Sequence, residues 1–163
     1  MSVLSAKDIL SQQVQTLEKH LKDWNDQIKE NIKSSGQQAT GKTASSFMVV
    51  MNDSGGKIEA NRFYKVLETG RKPGKMPPPS ALYDWLQVRF PSVFMTSKGN
   101  EVQSLAYIIA RKIGKEGSAL FRAGGRKDIY SNVLTDSEIE KLTVEIGDNV
   151  FTDVYNNINV IVK

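Results

Sequence analysis

The sequence predicts an α+β fold: a small antiparallel sheet, made of a hairpin plus a C-terminal strand, packed against long amphipathic helices. Three observations carry this expectation. Leu10, Val14, Leu17, Leu21, Trp24, Ile28 and Ile32 recur at intervals of four and three, one apolar stripe on a helix of about seven turns, roughly 40 Å long. Ile139, Leu142, Ile146, Val150 and Val154 repeat the pattern near the other end of the chain. Between them lies a strand-like run, Ser46 to Asn52, followed by the turn signal Asp53-Ser54-Gly55-Gly56 and a second run, Lys57 to Ala60. At 163 residues the chain is long enough to bury a core of its own, and residues 1–163 read as a single domain.

The first element is the long helix within 1–35. Ser5, with Asp8 three residues on, is its expected cap, and Ser34-Ser35-Gly36 stops it. His20 falls beside the stripe, at a position expected to be solvated. Residues 36–43 read GQQATGKT and match the phosphate-loop pattern G-x-x-x-x-G-K-[ST] through Gly36, Gly41, Lys42 and Thr43. A working phosphate loop sits between a buried strand and the N-terminus of a helix. Here a helix precedes and a strand follows, so the stretch reads as a linker.

After the hairpin comes 61–90, expected to be a protruding basic and proline-rich loop followed by a short helix. An apolar segment (Phe63, Tyr64, Val66, Leu67) runs into Gly70-Arg71-Lys72-Pro73-Gly74-Lys75. Met76-Pro77-Pro78-Pro79 then forms an extended spacer. Ser80 is the expected N-cap of a helix to Phe90, with Leu82, Trp85 and Leu86 facing inward and Pro91 ending it. Val102, Leu105, Ile109 and Ile113, with Ala106 and Ala110, mark a helix over about 101–114. A second basic glycine loop, Arg122-Ala123-Gly124-Gly125-Arg126-Lys127, is flanked by Phe121 and Tyr130. Thr135 and Glu138 make a capping box for the last long helix. Ile158 to Val162 reads as the short strand that joins the hairpin's sheet.

Composition narrows the function classes. There are no cysteines and one histidine, so neither a disulfide, a thiolate zinc site nor a multi-histidine metal site is expected. No apolar run is long enough to cross a bilayer, and the first residues lack the blocks of a signal peptide. Charge is unevenly placed. Residues 1–56 are neutral, residues 57–127 hold fourteen Lys and Arg against five acids, and residues 128–163 hold two Lys against seven acids. A basic middle beside an acidic end fits either nucleic acid or a complementary face on another subunit. The candidate interface is therefore Arg71, Lys72, Lys75 and Met76 in the first loop, Arg111, Lys112 and Lys115 at the end of the middle helix, and Arg122, Arg126 and Lys127 in the second loop. No nucleophile–base pair stands out, and no catalytic residue, cofactor or metal is expected.

Three stretches together resemble the tail-completion and head–tail connector proteins of double-stranded-DNA bacteriophages, of the minor tail protein type. They are Thr40-Gly41-Lys42-Thr43-Ala44-Ser45-Ser46, Phe63 through Pro78 with its glutamate–glycine turn at Glu68-Thr69-Gly70 and Trp85 beyond, and the alanine-rich helix from Leu105 to Gly117 with its basic glycine corner. The similarity spans roughly residues 38–120. It implies a structural, non-enzymatic virion protein: a head-to-tail homo-oligomeric ring around a DNA channel, in the neck or at the top of the tail, assembled in the bacterial host cytoplasm. Its partners would be portal, connector or tail proteins, with double-stranded DNA passing through the lumen and no membrane. The acidic 128–163 segment meeting the basic 57–127 segment of the next subunit is one way such a ring closes. The alternative is a DNA-binding protein acting through its basic glycine loops.

Overall fold

The computed structural model describes residues 6–36, 41–52, 55–92 and 99–161, side chains excepted at 6 and 156–161. The fold is α+β: mostly helical, with one two-stranded antiparallel sheet. Helix α1 spans Ala6–Ser34. Its expected cap Ser5, the linker residues 37–40 and the turn residues Asp53 and Ser54 lie outside the described residues. The C-terminal half of its stripe is the core of the molecule. Leu21, Trp24, Ile28 and Ile32 are buried there with Phe47, Ile129, Val133 and Leu142.

Strands β1 (Met48–Asn52) and β2 (Gly55–Glu59) pair from Met48↔Glu59 to Asn52↔Gly55. Alternation places Val49, Met51 and Ile58 against α1. Lys57 and Glu59 face away and pair at 2.6 Å. Gly55 and Gly56 belong to the ladder rather than to the turn. A Cβ at Gly56 would stand 2.4 Å from Leu21 Cδ1, so the missing side chain is what lets the hairpin lie close on α1. Helix α2, Lys42–Ser45, is a single turn between α1 and β1.

Helix α3 (Val66–Thr69) is also one turn. Helix α4 is Pro79–Arg89 and starts one residue before the expected cap, with Pro78 as N-cap and Pro79 in its first turn. A proline there has its φ preset for the helix and lacks an N–H that would go unbonded anyway. Helix α5 is Gly99–Glu116, longer than expected at both ends. It packs on α4 through Leu86, Val102 and Ala106, a second and smaller core. Trp85 is only half-buried at its edge, with its ring edge-on to Phe90 at 5.5 Å.

Helix α6 is Ala119–Arg122, and helix α7 is Asp136–Ile161. The Thr135 hydroxyl accepts from Glu138 N–H at 3.2 Å, the expected cap. The expected C-terminal strand does not form, because residues 158–161 continue α7 and the sheet keeps two strands. Ile158 falls four residues after Val154, in phase with the helical repeat. A continuing helix bonds its own backbone, whereas a lone strand needs a free sheet edge. Helix α7 runs antiparallel to α1. Leu142 is buried and Ile146 half-buried against it. Gln12 and Thr16 of α1 share a cleft with Asn149 and Thr152 of α7. His20 is not merely solvated: its Nε2 lies 2.9 Å from Glu145 Oε2, and its ring meets Trp24 edge-on. No helix among the described residues is long and apolar enough to cross a membrane.

Candidate interaction site at the basic corner

The two cores are joined by a corner in which the two basic glycine loops, some fifty residues apart in sequence, become one structure. Its keystone is Glu68 in α3, which is 3% exposed. Its Oε1 accepts from the backbone N–H groups of Ile129, Tyr130 and Ser131, at 2.9, 2.8 and 2.9 Å. The Ser131 hydroxyl donates to its Oε2. Three successive N–H groups aimed at one oxygen form an anion-binding nest, and here the anion is the chain's own carboxylate. Burial by itself pushes the Glu68 carboxyl up; the Ser131 hydroxyl and the three N–H groups outweigh it and hold the group below its ordinary value. The carboxylate is thus ionised and its acceptor sites are filled, a state suited to holding loops together rather than to moving protons. Tyr130 is pushed the other way, by burial and by the Glu68 charge.

The backbone around Glu68 is clamped from the same side. Arg126 N–H donates to Glu68 O at 2.8 Å. Ser118 N–H donates to Arg71 O at 2.8 Å, and Arg71 N–H returns a bond to Ser118 Oγ at 2.9 Å. Ser118 also caps α6 by accepting from Phe121 N–H. Gly74 N–H donates to Gly114 O at 2.8 Å. Gly70 sits at φ 68° and ψ 176°, a region open essentially to glycine alone. A Cβ there would lie 2.3 Å from Phe121 N. The loop after Gly70 is therefore seated on the end of α5 and the start of α6.

The expected interface residues all lie in or beside this corner. Lys72, Lys75 and Lys127 are exposed, as are Arg111, Lys112 and Lys115 on the last turns of α5. Met76 is 38% exposed, and its backbone packs on Gly114. Three of the arginines serve the loops themselves. Arg71 Nη2 donates to Lys75 O at 2.9 Å. Arg122 Nη1 donates to Gly117 O at 2.8 Å and stands 3.6 Å from Glu116. Arg126 forks onto Asp128, which raises the arginine's pKa and lowers the aspartate's. Across 66–75 and 111–128 there are nine cations against three carboxylates, and one of those carboxylates is buried. What faces solvent is a strongly cationic surface.

Sequence reasoning placed the cations but passed over Glu68 and Ser118 as anchors. The available signal was a lone carboxylate at the end of an apolar run, directly before a glycine: Val66-Leu67-Glu68-Thr69-Gly70. The phosphate-loop letters run through residues 37–40, which lie outside the described residues. Lys42 is exposed, α1 stands before the loop, and one turn of helix and a strand come after. Among the described residues no group of three His, Asp or Glu is placed to hold a metal ion. No protein-family model matches the chain, nor does any curated protein or any solved structure.

Proposed function

We propose that the chain is a structural virion protein, a ring-forming subunit of the neck or head–tail connector of a double-stranded-DNA bacteriophage. It would join portal or connector to tail around the DNA channel and perform no catalysis. One observation carries the reading. Two of the stretches that resemble that family, 63–78 and 105–117, meet through Gly74 N–H and Gly114 O, next to the bonds that seat Glu68. A corner of fixed backbone with exposed lysines suits docking, because rim charges set association rate and register while the backbone supplies shape.

The test is Lys72→Glu with Lys75→Glu. Both side chains are exposed, so the subunit keeps its circular dichroism spectrum and melting temperature. In the virus carrying the variant, electron microscopy is expected to show heads and tails that fail to join. Joined, infectious particles would overturn the assignment of this corner to neck assembly.

A further inference from the structure

Helix α7 has two apolar faces, and α1 covers only one of them. Leu142 and Ile146 pack on α1. Val144 and Phe151 lie half a turn round the helix, 55% and 72% exposed, with Tyr155 stacked on Phe151. A helix in water gains nothing from such a stripe unless a partner covers it. The charges beside it are mainly acidic. Glu140 and Asp148 flank Val144, and neither is in an ion pair among the described residues.

Helix α5 presents the complement. Its inner face, Val102, Ala106 and Ala110, is buried. Its outer face exposes Ile108 at 62% and Leu105 at 37%. Beyond them toward the C-terminus stand Lys112 and Lys115, exposed and in no ion pair among the described residues. The two patterns run in opposite order. On α5 the apolar residues come first and the bases follow. On α7 the acids come first and the apolar residues Phe151 and Tyr155 follow. Apolar meets apolar and acid meets base only if the helices lie antiparallel. With Ile108 opposite Phe151, counting back along α7 sets Lys112 beside Asp148. Lys115 then falls beside Val144, between Asp148 and Glu140. From Ile108 to Lys115, as from Phe151 to Val144, is seven residues, roughly 10 Å of helix.

We infer that the outer face of α7 docks antiparallel on the outer face of α5 of a second copy of this chain, forming a head-to-tail contact. It deepens the ring reading above, and rests on it in requiring that copies meet head to tail. The two faces differ, so the contact is heterologous, and each copy keeps one face of each kind open to the next. A self-pairing of α7 with α7 is disfavoured by its own acids. A helix-on-helix contact falls short of the roughly 1,200 Å² that stable interfaces bury, so association is expected to depend on concentration and salt.

The experiment is sedimentation velocity of the full chain across a concentration series at low salt, with circular dichroism as the check on folding. The native chain is expected to form species larger than its 18.1 kDa monomer, dissociating as salt is raised. Glu140→Lys with Asp148→Lys, or Lys112→Glu with Lys115→Glu, is expected to weaken association at least tenfold. Both pairs in one chain restore the complement between copies and are expected to recover it, as is an equimolar mixture of the two reversed chains. A monomeric native chain overturns the contact. So does failure of the combined reversal to rescue, or weakened association in the α7 reversal with none in the α5 reversal. None of these touches the neck reading, which stands or falls on whether particles join in the Lys72 and Lys75 variant.

Discussion

Glu68 is the residue on which the corner depends, and its protonation state has a stability consequence. Hydrogen bonds to a charged group are worth about 1.5–3 kcal/mol each, against about 0.5–1.5 for neutral ones. Glu68→Gln keeps the shape and removes the charge, and is expected to cost on the order of 2 kcal/mol at pH 7. Glu68→Ala leaves three N–H groups facing no acceptor, and is expected to cost on the order of 4 kcal/mol. The carboxyl's folded pKa lies below its ordinary 4.5, so its contribution is complete above that value and is lost as pH falls through the folded one. Urea titrations of the native chain and Glu68→Gln should therefore differ most near neutrality and converge in acid. A gap unchanged down to pH 2 would show that the charge contributes nothing.

At the scale of elements, the short turns carry the fold's joints while the long helices carry its bulk. Helices α3 and α6 are four residues each, too short to persist alone, and tertiary bonds hold them. Gly70 is where they meet, its Cα side lying against Phe121 N. Gly70→Ala places a methyl where Phe121 N already stands and forces a residue with Cβ into a glycine-only region. The expected cost is on the order of 3 kcal/mol, from strain and displacement together. Hydrogen exchange should show the loss concentrated at Ser118, Phe121 and Arg126, whose N–H groups bond within this corner, with the α1 core still protected. The helix α4 contribution is smaller than its tryptophan promised. Trp85 lies at the edge of its cluster, so truncating it removes less buried surface than a core tryptophan would.

For the whole molecule, the two cores and the corner between them set where charge is displayed. The exposed cations of the corner lie on two loops that hydrogen bonds bring together, which is why a charge count along the sequence understates their density. If DNA passes close to this surface, contact is through phosphates, and affinity falls steeply with salt. Purified subunit is expected to bind double-stranded DNA weakly at about 50 mM salt and to lose that binding by about 200 mM. Fluorescence anisotropy with a labelled duplex measures it. Tight binding at 200 mM, abolished by Lys72→Glu with Lys75→Glu, would instead favour a DNA-binding protein.

The sequence by itself determined the elements whose signal is local. The α1 and α7 stripes, the Thr135 cap, the hairpin's alternation and the basic character of both glycine loops all follow from residue spacing and type. The helix before the phosphate-loop letters and the strand after them are likewise visible in the periodicity. Tertiary structure decided what depends on partners distant in the chain. The end of α7 reads as a strand from its residue types, and the structure instead continues the helix through Ile161, in phase with Val154. Glu68 looks like any surface carboxylate until residues 129–131 close over it, and His20 looks solvated until α7 brings Glu145. That Lys75 and Lys115 belong to one surface is decided by a single kind of event: backbone N–H groups of one loop finding carbonyls and a carboxylate of another. No periodicity records that, because a hydrogen bond between residues sixty apart leaves no regular spacing in either segment.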